Sequence, residues 1–323
     1  MKRVGIFILT IALLPFIVAP ASAQNYPDRT VTVIVPFPPG GSVDGVARII
    51  VDKLNQTVGA HFIVENRAGG ASGNVGAEVV AKAAPDGYTL LLTASLHVVS
   101  PFLYKTVPFD VVKDFTPVTL IAAGPLIVST TPSVPAKSLK DFFDLVRKEP
   151  QKYTFGTTSI GSAGHLVIEL LKREAGVDTL VITYKGTAPA LTDLMSGQIQ
   201  LLADPMLSSL PLAQAGRIKA LAITSLKRQA AAPEIPTVEE SGLPGFEFES
   251  WYGLWGPKNL PADIAAKLQT SVASVLAQPD VKARLNTLGF EAIGSTPDKF
   301  ATFIDGEMAK YGKIIHDANI KAE

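Results

Sequence analysis

Residues 36–44 read Pro-Phe-Pro-Pro-Gly-Gly-Ser-Val-Asp, and this stretch connects a predicted strand to a predicted helix. The apolar run Val31–Val35 before it is typical of a buried strand. After it, apolar residues recur at helical spacing up to Val58, and Gly59 predicts the end of the helix. A helix start offers unpaired backbone N–H groups, and the glycines let a ligand approach them closely. The stretch therefore predicts contact with a negatively charged or oxygen-rich group, or else an ordinary turn that holds nothing.

The same unit of strand, glycine- and serine-rich turn and helix occurs again about 120 residues later. Residues 153–155 predict a strand, and residues 156–165 read Gly-Thr-Thr-Ser-Ile-Gly-Ser-Ala-Gly-His. Residues 166–175 then predict a helix that stops at Gly176. Two such turns that face each other from separate lobes would form a two-sided clamp. The repeated unit is therefore more informative than either turn alone.

Strands and helices alternate along most of the remaining chain. Further strands are predicted at 62–65, 88–92, 117–122, 126–129, 180–183, 200–203 and 220–224, with helices at about 75–84, 138–148 and 207–215 and one that ends at 196. This alternation predicts an α/β fold in which each lobe is a mainly parallel sheet flanked by helices. Ligands bind beyond the carboxyl ends of such strands, so we expect turns 36–44, 66–74 and 93–97 to gather at one edge.

Changes in this pattern predict the domain organisation. Residues 1–23 form a signal peptide, residues 24–123 the first part of lobe 1, and residues 124–245 lobe 2. Residues 246–323 return to lobe 1 and are largely helical. Within the first part, residues 101–115 predict a less regular passage.

The first 23 residues have the pattern of a cleavable export signal. Lys2 and Arg3 precede an apolar run and then the small residues Ala21-Ser22-Ala23, which predicts cleavage between Ala23 and Gln24. The apolar run is short for a membrane span, and a retained anchor is the alternative. The chain has no cysteine, which leaves no thiolate metal site, disulfide or lipid-modified anchor. We therefore expect an exported protein located in the periplasm.

The charge balance and the missing motifs argue against several classes of protein. The signal contains two of the 29 basic residues and no acidic residue, so the mature chain carries 27 basic against 29 acidic residues. Such a balance gives no electrostatic footprint for nucleic acid. No histidines are paired at metal-ligand spacing, and no dinucleotide or nucleotide-phosphate loop follows a strand. We therefore expect no metal, no cofactor and no nucleic-acid partner.

A serine hydrolase is the enzyme class that the sequence comes nearest to. Ser72, Ser159 and Ser162 each depart from the Gly-x-Ser-x-Gly pattern at one glycine position. His165 lies three residues after Ser162, where it could cap the helix, contact a ligand or act in catalysis. We expect no enzymatic activity, and an exported serine hydrolase is the alternative.

The residues at the two turns are small and mostly uncharged. Backbone N–H groups at two helix starts, together with hydroxyls, can hold a carboxylate without an arginine. Asp204, at the end of a predicted strand, either accepts a hydrogen bond from a ligand or orients a loop. The hydroxyl side chains are candidate ligand contacts and can equally be turn and cap residues; they are Thr157, Thr158, Ser159 and Ser162.

Several motifs resemble those of the Bug receptors, the extracytoplasmic solute-binding proteins of tripartite tricarboxylate transporters. The resemblance spans essentially the whole mature chain and includes the export signal. It rests on an ordered series of stretches at residues 36–44, 65–74, 159–166, 184–189, 203–204, 215–217, 221–224, 236–242 and 251–253.

This resemblance implies a two-lobed periplasmic binding protein type II fold with two connections between the lobes. It also implies a small carboxylated ligand held between the lobes, partly through ordered water, and delivered to the membrane permease subunits of a tripartite tricarboxylate transporter. We expect a monomer. Thr187 and Asp204 stand where relatives often touch the variable end of the ligand. Carried over by position, the remaining ligand contacts fall on Pro38, Gly40, Gly41, Thr157, Thr158, Ser159, Gly161 and Ser162.

Two departures from the family pattern bear on the ligand. Pro38-Pro39 replaces the small residue that usually precedes Gly-Gly, which narrows the mouth of the site or removes an N–H group. Ile160 stands where a polar or small residue is common, which indicates an apolar wall. Dicarboxylates, aromatic acids and acidic amino acids all remain candidate ligands. A ligand sensor for a membrane signalling system is the alternative to a transport receptor.

Overall fold

The computed structural model describes residues 26–320 of the 323-residue chain. The predicted signal peptide and its cleavage site between Ala23 and Gln24 therefore lie outside the described residues. Within residues 26–320, no helix has both the length and the apolar character that a membrane span requires.

Ten strands and ten helices alternate along the described residues. The strands are β1 (Val31–Val35), β2 (Phe62–Asn66), β3 (Thr89–Ala94), β4 (Phe115–Thr130), β5 (Phe155–Thr157), β6 (Val181–Thr183), β7 (Leu201–Pro205), β8 (Lys219–Ile223), β9 (Glu249–Pro257) and β10 (Glu291–Ala292). The helices are α1 (Ser42–Thr57), α2 (Asn74–Ala81), α3 (Leu96–Leu103), α4 (Leu139–Lys148), α5 (Ala163–Ala175), α6 (Thr187–Ser196), α7 (Met206–Gln214), α8 (Ala262–Leu276), α9 (Pro279–Thr287) and α10 (Pro297–Asp317).

The predicted parallel arrangement appears in both halves of the molecule. In the first sheet β1 pairs in parallel with β2 on one side and with β3 on the other. In the second sheet β5 pairs in parallel with β6 and β7. Each of these strands except β3 leads into a helix that the sequence predicts. The carboxyl ends of the parallel strands therefore carry the candidate loops.

Antiparallel pairs come from the two long strands that the sequence did not predict as such. Strand β9 lies between β3 and β4 and runs antiparallel to both. Strand β4 pairs with β9 up to Pro125 and with β7 and β8 from Leu126 onward. One strand thus belongs to both sheets, and the sheets are mixed rather than mainly parallel.

The sequence predicts two strands at 117–122 and 126–129, but the structure has one continuous strand, β4. The Ala-Gly-Pro sequence at 123–125 has the composition of a break. The pairing with β9 continues through it, with Gly124 opposite Ser250. A Cβ on Gly124 would lie 2.5 Å from the backbone oxygen of Gly289, so this glycine permits a close backbone approach instead of a turn.

Helix α3 was not predicted, because Pro101 lies inside it. Proline removes a helix hydrogen bond, which argues against a helix on sequence grounds. The helix forms nevertheless because Leu96, Val98 and Val99 are buried in the core. Tertiary packing therefore overrides the local signal here.

Helix α10 is fastened to the first sheet by a buried polar contact. The Trp251 Nε1–H donates to Glu307 at 2.9 Å and to the Tyr311 hydroxyl at 3.0 Å. The Trp251 ring also meets Phe300 and Phe303 edge-on. Indole groups buried in this way contribute apolar area and still satisfy their N–H group.

His97, on α3, is enclosed by aromatic rings. Its imidazole contacts Phe109, Phe115 and Trp255 with ring centroids 4.7–5.6 Å apart. Its Nε2 has no hydrogen-bond partner within the described part of the chain. Because burial disfavours the charged imidazolium, the pKa of His97 falls to about 3.

We expect His97 to make folding sensitive to acid. Between the ordinary histidine pKa near 6.5 and the folded-state pKa of about 3, the unfolded chain binds a proton that the folded chain does not. Stability therefore falls as pH falls through this window. In His97→Phe the slope of unfolding free energy against pH should decrease by up to about 1.4 kcal/mol per pH unit. Chemical denaturation at several pH values between 6.5 and 4 measures this slope.

Comparing His97→Phe with the parent protein isolates the contribution of His97 to the pH dependence of stability. Burial raises the pKa of Asp204 to about 6, so the effect of Asp204 on stability has the opposite sign to that of His97. The stability that protonated Asp204 contributes is lost as pH rises from about 4 through 6. That contribution is present in both proteins and cancels in the difference. Identical pH slopes for the parent and His97→Phe would contradict the assignment.

Candidate functional site

A cleft lies where the loops of the two sheets meet. It leaves about 50 Å³ for the centres of water-sized molecules, which is room for a few waters or for the head of a small ligand. On the side of the first sheet, the cleft is lined by Phe37, Pro38, Gly41, Ser42, Val43, Asp44, Ala94, Ser95 and Leu96, and by Ser250 of β9. From the second sheet it is lined by Thr158, Ser159, Ser162, Ala163, Gly164, Gly186, Thr187 and Pro205.

The first loop, between β1 and α1, is held by the carboxylate of Asp44. This carboxylate accepts hydrogen bonds from the Gly40 N–H at 3.0 Å, from Arg48 Nε at 2.9 Å and from Asn66 Nδ2 at 3.0 Å. Asn66 Nδ2 also donates to the backbone oxygen of Phe37 at 3.0 Å. The loop is therefore tied down on both sides of the two prolines.

Asp44 remains ionised in this setting. Burial opposes its charge, but the hydrogen bonds from Arg48, Gly40 and Asn66 together lower its pKa below the ordinary value. A negative charge in the first turn of α1 is favoured by the helix dipole, and Arg48 balances it. The first-turn N–H groups of α1, at Ser42 and Val43, have no acceptor within the helix, and both residues line the cleft.

The second loop, between β5 and α5, is held by a helix cap. Ser162 Oγ accepts from the His165 backbone N–H at 3.1 Å and lies 3.2 Å from Thr157 Oγ1. The Gly161 N–H donates to His165 Nδ1 at 3.1 Å, with Gly161 at a φ of +78° that favours glycine. Burial, assisted by Lys172, lowers the pKa of His165 to about 4, so the imidazole stays a neutral acceptor.

This arrangement bears on the hydrolase alternative. The Ser162 hydroxyl is engaged with a backbone N–H and with Thr157, and the Nδ1 atom of His165 is engaged with Gly161. A nucleophilic serine needs a hydrogen bond to the ring of its general base. Ser162 and His165 instead shape the start of α5.

A third loop, between β6 and α6, completes the cleft. Thr187 Oγ1 donates to Asp204 at 3.0 Å, and Asp204 also accepts from Ser208 at 2.6 Å and Ser209 at 3.0 Å. Asp204 is fully buried, and burial raises its pKa to about 6 although the three hydroxyls oppose the rise. Asp204 therefore positions Thr187 from behind.

The first and third loops face each other closely across the cleft. A Cβ on Gly41 would lie 3.5 Å from Thr187 Cβ, and a Cβ on Gly186 would lie 3.3 Å from Pro38 Cδ. The N-termini of α1 and α6 thus approach each other so closely that one added Cβ would make van der Waals contact. The N-terminus of α5 borders the same space through Ala163 and Gly164.

Three helix N-termini therefore supply the positive potential of the cleft. Each is equivalent to roughly half a positive charge, carried by free N–H groups. Asp44, paired with Arg48, is the ionisable side chain among the described residues that line the cleft, and no lysine or arginine is among them. The arrangement can hold a carboxylate through N–H groups and the hydroxyls of Ser42, Ser95, Thr158, Ser159 and Ser162.

The structure brings six of the ten predicted contact residues to the cleft and places four behind it. Those at the cleft are Pro38, Gly41, Thr158, Ser159, Ser162 and Thr187. Those behind it hydrogen-bond to the residues that shape the loops and are Gly40, Thr157, Gly161 and Asp204. Ligand contact stays a prediction for all ten residues.

The sequence missed several residues of the cleft lining. Ser42 and Asp44 lie in the stretch 36–44, and Gly186 lies in the stretch 184–189 that carries part of the family resemblance. Nothing in the sequence marked these three residues as lining a cavity. Ser95 belonged to the segment that was expected at this edge. Ser250 gave no signal, because it reaches the cleft on β9, a strand far away in the sequence.

The chain is similar to known proteins in both sequence and structure. The family model described as "Tripartite tricarboxylate transporter family receptor" matches residues 46–320. The structure of periplasmic binding protein BugD is 35% identical, with a TM-score of 0.88, and the match covers 92% of this chain and 100% of that one.

Two similar structures contain a ligand. R. palustris Rpa4515 with adipate is 37% identical, with a TM-score of 0.89 and coverage of 91% of this chain and 99% of that one. MatC (Rpa3494) from Rhodopseudomonas palustris with bound malate is 34% identical, with a TM-score of 0.85 and coverage of 90% and 100%. The predicted two-lobed periplasmic binding protein fold is confirmed by these likenesses.

We expect Asp44→Asn to loosen the first loop. The substitution removes the charge that holds the Gly40 N–H and Arg48, and hydrogen bonds to charged groups contribute about 1.5–3 kcal/mol. Amide hydrogen exchange in residues 37–44 should therefore become about tenfold faster or more. Mass-spectrometric exchange on the peptide that covers this loop measures the effect.

Asp52→Asn is the matched control, since it removes the same charge from an exposed position on the same helix. Its exchange in residues 37–44 should equal that of the parent. Equal protection in Asp44→Asn and Asp52→Asn would show that Asp44 does not hold the loop.

Proposed function

We propose that this chain, which belongs to the tripartite tricarboxylate transporter receptor family, captures a small carboxylated organic solute between its two lobes and delivers it to a membrane permease. The predicted resemblance to the Bug receptors is confirmed by the family match and by the similarity to BugD. Members of this family are solute-binding receptors rather than enzymes. The family location is the periplasm, as for the periplasmic binding protein BugD.

One observation carries the proposed ligand class. The N-termini of α1, α5 and α6 converge on a cleft whose described lining contains no lysine or arginine. Such a site favours a group that accepts several N–H bonds and carries one negative charge, which is the chemistry of a carboxylate. Adipate in Rpa4515 and malate in MatC are both carboxylates, which supports this choice.

The proposed capture step is a closure of the lobes, with residues 24–123 and 246–323 in one lobe and residues 124–245 in the other. Strands β4 and β9 take part in the passage between the two sheets, and a hinge at these crossings would let the loops separate and meet. Delivery to the permease would follow from recognition of the closed form.

A direct hydrogen bond joins the two lobes beside the cleft. Ser72, in the first lobe, donates from Oγ to the backbone oxygen of Ile160 in the second lobe at 2.9 Å. Ser72 adopts a φ of +53°, which is uncommon for a residue other than glycine. Next to it, a Cβ on Gly161 would lie 2.4 Å from Leu103 Cδ1, so the lobes are in tight contact here. The Ser72 hydrogen bond and the tight contact at Gly161 both favour the closed arrangement of the lobes.

The proposed ligand class is tested by a thermal-shift screen of organic acids. Binding to the folded state raises apparent stability by mass action, by about 2.7 kcal/mol at a ligand concentration 100 times Kd. We expect at least one small carboxylate to raise Tm and to bind saturably without being converted to product. A complete lack of stabilisation across dicarboxylates, aromatic acids and acidic amino acids would contradict the proposal, as would turnover of candidate esters.

We expect the double variant Ser159→Ala, Ser162→Ala to bind the stabilising acid about tenfold more weakly, since it removes two hydroxyls from the second loop. Ser162 also caps α5, so the variant loses some stability as well. Isothermal titration calorimetry therefore measures affinity directly. The pair Ser196→Ala, Ser274→Ala on exposed positions is the control, and unchanged affinity in the cleft variant would remove the second loop from the site.

We expect Ser72→Ala to weaken ligand binding about fivefold, because the loss of one interlobe hydrogen bond of about 1 kcal/mol makes closure less favourable. Ser72→Gly removes the same hydroxyl but relieves the unfavourable φ. Similar weakening in both variants, measured by calorimetry, assigns the effect to the hydrogen bond. Binding at the parent level in both variants would show that this contact does not support closure.

A further inference from the structure

The carboxylate of Asp204 lies behind the cleft without a cation beside it. It is fully buried, and its Oδ1 atom accepts from Thr187 while its Oδ2 atom accepts from Ser208 and Ser209. Asp44, the buried carboxylate on the other side of the cleft, is balanced by Arg48. Hydroxyl hydrogen bonds are weaker compensation for a buried charge than an ion pair, so Asp204 is poised between its charged and its neutral form.

The elements packed around Asp204 bring no charge that offsets its own. Among them, β4, β5 and α7 contain no titratable side chain. On α5, burial lowers the pKa of His165 to about 4, so its imidazole is neutral, and on α6 the Asp193 carboxylate is engaged by a tyrosine hydroxyl. From β9, burial together with the charge of Asp204 raises the pKa of Tyr252 above its ordinary value, so this hydroxyl is also neutral. The charged residues farther along α5 form ion pairs of their own and are Glu169, Lys172, Arg173 and Glu174.

Thr187 connects Asp204 to the cleft. Thr187 lines the cleft, and so does Pro205, the residue that follows Asp204. A threonine hydroxyl has a single proton, and while Asp204 is ionised this proton is used in the 3.0 Å bond to Oδ1. Toward the cleft the hydroxyl then presents only a lone pair, which repels a carboxylate oxygen.

We propose that the capture of a carboxylate is coupled to the uptake of one proton by Asp204. This inference rests on the proposed function, because it concerns the same ligand. The proton comes from the solvent and binds to Oδ1, which then donates to Thr187 Oγ1 and leaves the Thr187 proton free to donate to the ligand. The Oδ2 atom continues to accept from Ser208 and Ser209, so α7 stays in place. Asp204 is thus a positioning residue that acts on the ligand through Thr187.

The ligand itself favours this uptake. A carboxylate that accepts from Thr187 lies two hydrogen-bond lengths, about 6 Å, from the Asp204 carboxylate. A second negative charge at this distance in a water-poor interior raises the pKa of the buried group. Burial already raises the pKa of Asp204 to about 6 in the free protein, so the uptake falls between about pH 6 and 8.

Calorimetry in phosphate and in Tris, two buffers with different ionisation enthalpies, counts the protons that are taken up on binding. The probes are adipate and malate, the carboxylates in the two similar structures, or else the acid that gives the largest Tm shift in the thermal-shift screen. Such acids are ionised at pH 7, since ordinary carboxyl pKa values lie near about 4. We expect the parent to take up about 0.5–1 proton at pH 7 and its Kd to rise by up to about tenfold per pH unit between pH 6 and 8.

Asp204→Asn and Glu234→Gln separate this coupling from a purely structural role. The Asn amide can donate to Thr187 permanently, so Asp204→Asn should bind without proton uptake and, at pH 8, about tenfold more tightly than the parent. Glu234 is an exposed residue of the second lobe that does not line the cleft, and its variant should keep the proton count and the pH slope of the parent. The exposed histidines His61 and His316 are common to all three proteins and cancel in the comparison.

The proton count of the parent decides the inference even if Asp204→Asn folds poorly. Binding by the parent without proton uptake overturns the inference, as does an Asp204→Asn variant that keeps the pH slope of the parent or binds more weakly than the parent at pH 8. In each of these cases the proposed function stands. A failure of every tested acid to bind overturns both.

Discussion

A carboxylate can be held by backbone N–H groups only if the loops that present them stay in place. Each of the three loops at the cleft is fixed by a buried side chain of its own lobe. Asp44 holds the first loop, the cap formed by Ser162 and His165 holds the second, and Asp204 holds the third through Thr187. Such bonds are strong in a low-dielectric interior, and apart from the His165 N–H, which Ser162 caps, they do not use the first-turn N–H groups that line the cleft.

The two sheets connect this fixed geometry to the proposed motion. Strand β4 belongs to both sheets, and β9 lies beside it, so the two sheets are linked through these strands. Closure then brings together surfaces that are already formed, at Gly41 against Thr187 and at Ser72 against Ile160. Under the proposed function, binding assembles three preformed helix starts around the solute.

Local signals in the sequence were sufficient for much of the fold. Strand β1, the end of α4 at Lys148, the end of α6 at Ser196 and the glycine that ends α5 were predicted because each depends on neighbouring residues. The continuity of β4 and the existence of α3 depend on partners far away in the sequence. For the same reason the sequence placed the loops at one edge but did not separate the residues at the cleft from those that support it, such as Thr157 and Asp204.

The most direct measurement is a crystal structure with a stabilising organic acid. If N–H groups of opposed helix starts hold the ligand, its carboxylate oxygens will lie about 2.7–3.2 Å from the backbone nitrogens of Ser42 or Val43 in the first lobe and of Ala163, Gly164 or Thr187 in the second. A carboxylate bound only to lysine or arginine side chains, or one located outside the cleft, would contradict the account.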